Sequence, residues 1–336
     1  MRKGILAGGN WIIDIVKIID AYPPQEALAN ILSETYSNGG SPYNLLIDIA
    51  KLDVGIPLEA FGLVGDDEKG KFIINDCTKY GIDVSQLLQT SKSSTSYTDV
   101  MTVKEDGKRT FFHNRGANAY FDGSNLELAL SNAKIFHLAY LLLLDKLDII
   151  DEKGRTGASY LFEKAQKAGF KTSTDVVSEN SDRFKDVVTS SLPFINYFFV
   201  NEFEASKITG IATVTNGKID LKGCEKASKV LLEMGVNDWV ILHFPKGCLA
   251  SSPNETVIQG SINFPKEKIV GAVGAGDAFA AGVLAGIHEG LPIHASLKQG
   301  VSVAANCLTH ATCSEGILPL DKCMELMFQY DFYEII

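Results

Sequence analysis

Gly271-Ala272-Val273-Gly274-Ala275-Gly276-Asp277 runs directly into Ala278-Phe279-Ala280-Ala281-Gly282-Val283-Leu284-Ala285-Gly286, so a glycine loop, a single carboxylate and a helix-length apolar stretch are contiguous. Glycines let backbone amides face inward with no side chain in the way. A helix N-terminus adds partial positive charge, and together these suit a bound phosphate. A carboxylate at the lip of an anion site needs a reason. Accepting the proton of an attacking hydroxyl is one, which makes Asp277 a candidate general base. A helix N-cap aspartate is the other reading of the same residue.

Taken from Ile269 to His288, this region has the length of a membrane span and Asp277 as its one formally charged residue. Gly271, Gly274 and Gly276 cluster at one end, where they break a helix, and Asp277 would lie near the bilayer centre at high cost. A buried helix of a soluble protein is expected instead. Its Gly282 and Gly286, beside Ala278, Ala281 and Ala285, form small ridges that admit a close neighbouring helix.

Three further segments complete the pattern. Gly39-Gly40-Ser41-Pro42-Tyr43-Asn44 and Phe61-Gly62-Leu63-Val64-Gly65-Asp66-Asp67-Glu68-Lys69-Gly70 lie upstream, and Asn201-Glu202-Phe203-Glu204 lies in the middle of the chain. With Gly274-Ala275-Gly276-Asp277, in this order and at these separations, they resemble the ribokinase-like carbohydrate kinases, the PfkB family, over essentially the whole chain. The resemblance implies one ribokinase-like α/β domain over residues 1–336, with a mostly parallel sheet, helices on both faces and a small β-sheet lid from segments about 11–38 and 94–118. It also implies ATP-dependent transfer of the γ-phosphate to a sugar hydroxyl. Asp277 is then the base, and the amides of Gly274, Ala275 and Gly276 hold the charge developing on the phosphoryl group. Asp14, Gly39, Gly40 and Asn44 are expected to bind the sugar. Asn201 and Glu204 are expected to organise Mg²⁺ through water, and Gly247 to belong to the nucleotide loop. Asp66, Asp67 and Gly70 read as a stabilised turn.

Two departures from the family pattern carry expectations of their own. Gly271 and Ala272 stand where relatives carry Asp-Thr or a close variant, whose carboxylate helps bind a monovalent cation, so weak or absent K⁺ dependence is expected. Ile241-Leu242-His243-Phe244-Pro245-Lys246-Gly247 replaces a Thr-x-Gly-x-x-Gly nucleotide loop. That leaves Phe244 or Pro245 to pack on adenine and makes the donor nucleotide less certain than the reaction. A nucleoside kinase of the same family and a catalytically silent sugar sensor are the competing readings. No G-x-G-x-x-G follows the first strand and no Walker motif occurs, which speaks against a nicotinamide dehydrogenase or a P-loop enzyme.

A chain of 336 residues, 46% hydrophobic and 21% charged, can bury a substantial core. Its formal charge of −10 argues against a nucleic-acid backbone or an anionic membrane as partner. The six cysteines form no CxxC pair, and Cys307, Cys313, Cys323 and His310 fit no common zinc spacing. Met1-Arg2-Lys3 leads into an apolar strand without a secretory signal, and reduced thiols in the cytoplasm are expected.

Strand-like and helix-like stretches alternate along the chain without a linker or repeat, the pattern of a parallel sheet covered by helices. Strands are expected at 4–9, 58–64, 135–139, 171–175, 197–200 and 239–242, and helices at 43–52, 69–80, 154–168, 222–234 and 295–308. The alternating runs 95–103 and 109–113 flank an Asp-Gly turn and read as a hairpin, with 12–19 as another lid strand. Strand carboxyl ends would align Asp14, Asn201 and Asp277 along one crevice. His113, Asn114 and Arg115, next to Phe111, Phe112 and Tyr97, either touch the sugar or pack the lid. A homodimer through the lid is expected, with a monomer as alternative.

Overall fold

Short runs of β-branched and aromatic residues ending in glycine or asparagine become strands, and the apolar stretches with helical period become helices. The computed structural model describes residues 2–179 and 181–335. It opens with β1 (Ile5–Gly9), β2 (Ile12–Ile19), β3 (Ile31–Gly39), α1 (Ser41–Lys51), β4 (Leu58–Gly65), α2 (Glu68–Lys79) and β5 (Asp83–Thr90). There follow β6 (Ser96–Val103), β7 (Arg109–Asn114), β8 (Ile135–Ala139), α3 (Gly157–Lys167), β9 (Lys171–Thr174), α4 (Phe184–Thr189), β10 (Tyr197–Asn201) and α5 (Glu202–Thr209). The chain ends with β11 (Val214–Thr215), β12 (Lys218–Ile219), α6 (Leu221–Glu233), β13 (Trp239–Phe244), β14 (Gly247–Ser251), β15 (Thr256–Gly260), α7 (Ala275–His288), α8 (Ile293–Cys307) and α9 (Leu320–Gln329).

The main sheet has the order β15-β14-β13-β10-β9-β8-β1-β4-β5, parallel from β13 to β5 and antiparallel at the β13-β14-β15 edge. Period-two alternation divides its side chains between two cores. Ile5, Ala7, Phe199 and Ile241 pack with α1, α2, α7 and α8 on one face. Leu6, Phe198, Val200, Val240 and Leu242 pack with α3, α4, α5 and α6 on the other. The small-residue ridge of α7 works as expected: a Cβ on Gly282 would lie 2.8 Å from the Cα of Gly300 in α8, and one on Gly286 would lie 2.7 Å from Ser296 Oγ. The backbones therefore approach within a distance that no larger residue allows. Among the described residues no helix is long and apolar enough to cross a membrane.

A second, four-stranded sheet runs β3-β2-β6-β7. β2 pairs antiparallel with β3 and parallel with β6, and β6 and β7 form the expected hairpin. β3 was not legible as a strand, since its first six residues are all exposed and show no apolar alternation. Pairing with β2 stabilises it. Asp67 caps α2 by accepting from Gly70 N at 2.8 Å and also takes the Thr95 hydroxyl at 2.6 Å, which makes the 65–70 turn structural, as read from sequence.

Candidate active site

The carboxyl ends of β8, β9, β10 and β13 and the N-terminus of α7 meet beneath the small sheet, where they enclose a crevice of about 780 Å³. Asp14, Asn201 and Asp277 all line it, but only Asn201 comes from the carboxyl end of a main-sheet strand: Asp14 descends from β2 of the small sheet and Asp277 from the first turn of α7, so the crevice lies between the two sheets. Gly40, Asn44, Glu204, Gly274 and Gly276 line it as well.

Helix α7 starts at Ala275 with Gly274 as its N-cap, in the left-handed conformation at φ 76°. Asp277 thus belongs to the first helical turn and is not the cap. The first amides of a helix have no intrahelical partner, so those after Gly274 are available to an anion, while the Ala275 side chain packs on the core. Asp277 is 5% exposed. Asn44 Nδ2 donates to its Oδ2 at 2.7 Å, and the Tyr140 hydroxyl lies 3.2 and 3.3 Å from its two carboxyl oxygens. Burial pushes the carboxyl up to about 6, against the pull of the Asn44, Tyr140 and Ser41 side chains, which favour the ionised form.

Asn44 is engaged with the protein on both sides of its amide. Its Oδ1 accepts from Asn38 Nδ2 at 2.7 Å, and the same Asn38 nitrogen lies 2.8 Å from Ser314 Oγ. The structure therefore joins Asn44 to Asp277, a contact the sequence could not assign because the two are 233 positions apart, while Asn44 keeps a second amide hydrogen and faces the crevice where a sugar is expected. Gly39 and Gly40 hold the backbone close to the site. A Cβ on Gly39 would lie 2.5 Å from the Asp14 carboxyl, and one on Gly40, at φ 82°, would lie 2.0 Å from the Asn10 carbonyl oxygen. Asp14 itself is pushed up to about 7 by burial, with the Thr98 hydroxyl opposing and Asp277 adding to the rise.

Asn201 and Glu204 form a reciprocal capping box at the start of α5. Asn201 N donates to Glu204 Oε2 at 2.8 Å, while Ser178 Oγ and Asn201 Nδ2 donate to Oε1 at 2.7 and 2.9 Å. With its oxygens already bonded, Glu204 suits a cation that keeps its own waters better than direct coordination. Its carboxyl is raised to about 7, burial being the cause.

Gly247 is not brought into the crevice. It starts β14 opposite Phe244, and a Cβ there would meet the Gln259 carbonyl oxygen at 2.7 Å and Ile335 at 2.9 Å. Phe244 is buried in the core with Leu242 and Leu249, so it is not free to pack on adenine. The residue this strand presents instead is His243, which lines the crevice and stands 5.5 Å from the Phe279 ring, neutral because burial lowers it to about 4. His113 and Arg115 line the crevice too, His113 bonded to Thr98 Oγ1 at 3.0 Å and Arg115 paired with Asp145 at 3.1 Å, whereas Asn114 is exposed.

Tyr140 and Asp175 went unnoticed in the sequence. Each directly follows a recognised strand, β8 and β9, at the end where parallel sheets place ligands, and that rule alone could have found them. Asp175 accepts from Tyr140 N at 3.1 Å, and burial together with the Asp277 charge raises it to about 8.

Comparison with known proteins agrees with this fold. Residues 9–320 match the model of the pfkB family carbohydrate kinases. A 5-dehydro-2-deoxygluconokinase of Shouchella clausii is 24% identical over 301 residues, 86% of each chain. An ATP-dependent 6-phosphofructokinase of Thermoanaerobacterium thermosaccharolyticum is 24% identical over 280 residues, 81% of this chain and 80% of that one. In fold, the chain is similar to Arabidopsis thaliana ribokinase solved with ribose and ATP, at a TM-score of 0.78 and 21% identity, with 97% of this chain and 99% of that one covered.

Proposed function

Since the chain belongs to the pfkB family of carbohydrate kinases, phosphotransferases with a hydroxyl acceptor, we propose that it transfers the γ-phosphate of ATP to a hydroxyl of a sugar, with Asp277 as general base. The observation that carries this reading is a buried carboxyl in the first turn of α7, beside unpaired helix amides and open to a crevice large enough for two substrates. Asp277 takes the proton of the acceptor hydroxyl while that oxygen bonds to the γ-phosphorus and the bond to the bridging oxygen of ADP breaks. The amides around Gly274, Ala275 and Gly276 face the transferring group, and such fixed dipoles cost no reorganisation during the step. Asp14, with the backbone of Gly39 and Gly40, binds the sugar hydroxyls. The small sheet that carries Asp14 acts as the lid of a single domain spanning the chain.

Asn201 and Glu204 would hold a hydrated magnesium ion, which supplies neutralisation of phosphate charge when bound. Asp14, Asp175, Glu204 and Asp277 all line the crevice, and a divalent cation there would offset the charge of the carboxylates and of the phosphates together. Gly271 leaves no room for the carboxylate that relatives use for a monovalent cation, because a Cβ there would lie 2.8 Å from the His310 carbonyl oxygen and 3.0 Å from Ala311 Cα. Replacing Na⁺ by K⁺ in the assay is therefore expected to change the rate by less than a factor of about two, and a large activation would show a cation site built from other groups.

ADP release with Mg-ATP against pentoses, hexoses, ketoses, sugar acids, sugar phosphates and nucleosides tests the function. Turnover on one class supports the kinase and names its substrate. Silence across the panel, with a sugar still bound, would replace it by a sugar sensor. The cysteines described are all free and buried, in keeping with work in the cytoplasm. Ile31, Leu32 and Tyr36 on β3 and Phe111 and Phe112 on β7 are exposed apolar residues along both edges of the small sheet. We read these edges as the contact of a homodimer, and light scattering is expected to give twice the chain mass. A monomer at micromolar concentration would discard that interface.

A further inference from the structure

Between β8 and the Leu144–Asp148 region the backbone takes an unusual course. Tyr140 has φ 53° and Leu142 has φ 80°, two non-glycine residues in the left-handed region within three positions. Such conformations persist only when the surroundings enforce them, and they concentrate at functional sites. Here the enforcement is visible. Asn10 Nδ2 donates to the carbonyls of Ala139 and Tyr140 at 3.3 and 3.1 Å, and Tyr140 N donates to Asp175 Oδ1. Leu142 N and Leu144 N both donate to the Asp148 carboxyl, and the Leu142 carbonyl accepts from Arg183 Nη2 at 2.7 Å. The result of this clamped turn is to aim the Tyr140 phenol into the crevice at Asp277.

We propose that Tyr140 is a positioning residue for the transfer reaction, its hydroxyl holding the Asp277 carboxylate ionised and oriented until the acceptor hydroxyl arrives. The inference rests on Asp277 being the base. The bond is long and shared between both carboxyl oxygens, at 3.2 and 3.3 Å, so a substrate hydroxyl can take over one oxygen while the phenol stays on the other. Asn44 already fixes Oδ2, and the Tyr140 donor supplies the second restraint that stops the carboxyl from rotating. A donor to the charged form also favours that form, and in a dry crevice the effect is stronger than in water.

Tyr140→Phe removes the hydroxyl and keeps the ring. The acid limb of kcat/KM is expected to move up by about one pH unit, giving a roughly tenfold loss on the limb that fades at high pH, since one unit is a factor of ten in protonation. Other titrating groups face the pair: Asp14 from β2, Asp48 from α1, Asp175 after β9, Cys307 in α8 and Cys313 beyond it. The quantity read is therefore the difference between variant and parent, not the limb itself. Tyr140→Gln, which offers an amide donor, should move the limb back part of the way, and Tyr140→Met should not. This second pair keeps the comparison of donor with non-donor independent of any one variant folding. Coincident limbs, or a loss equal at every pH, would overturn the proposal by showing a merely structural residue. Asp277→Asn run alongside separates the two readings: if it keeps activity the base assignment fails, and if it is silent while the Tyr140 limbs coincide only the present inference fails.

Discussion

Asp277→Ala loses about 10²- to 10⁴-fold in kcat, the range set by removal of a general base, while affinity for the sugar changes little. Asp14, Gly39 and Gly40, to which we assign sugar recognition, remain in place, so binding and rate should separate. Asp277→Asn is the sharper variant because it keeps the shape and lets Asn44 Nδ2 go on donating to an oxygen at the same point, where the parent bond is 2.7 Å. It cannot accept the proton of an attacking hydroxyl. With the parent, kcat is expected to fall as the pH drops through about 6, because burial raises this carboxyl and the protonated form cannot act as base. Retention of more than a tenth of parental kcat by the asparagine variant would remove Asp277 from the reaction.

Gly274→Ala is expected to lower kcat by about 10²- to 10³-fold, comparable to loss of one donor from an oxyanion hole. Two causes act together. Gly274 is at φ 76°, and a Cβ there would lie 2.7 Å from Cys313 Cβ and 2.8 Å from Cys313 Cα, contacts that a real Cβ does not make. The backbone must shift, and the amides that we propose face the phosphoryl group shift with it. Conformational strain alone is controlled by Gly210→Ala at the C-terminus of α5, where φ is 72° and a Cβ would meet nothing. That control should lose about 1 kcal/mol of stability and keep its kcat. Equal kcat losses in the two variants would mean that general destabilisation, not the anion cradle, explains the effect.

Much of this architecture was legible because it is local. The strands β1, β4, β8, β9, β10 and β13 and the helices α1, α2, α3, α6 and α8 follow from runs whose side chains repeat with period two or 3.6, whereas the short α4 and α5 carry too few turns to show a period. The glycine turn before α7 is contiguous, so its conformation and its chemistry are written in neighbouring residues. β3 escaped because an exposed edge strand owes its form to a partner and not to its own pattern. Gly247 was ambiguous for a related reason: a glycine between two short strands reads equally as a ligand loop or as a hairpin, and the structure places it in the β13-β14 hairpin outside the crevice lining, packed near Ile335.

The family, the alternating α/β layout and the carboxylate at the head of α7 are carried by residues adjacent in the chain or in fixed order along it, and so can be read without coordinates. What surrounds that carboxylate comes from contacts between distant segments. Asn44 and Tyr140 reach Asp277 across 233 and 137 positions, and Asp175 reaches Tyr140 across 35. Strand order brings them together, and strand order is settled by the summed packing of two cores, which no local periodicity records.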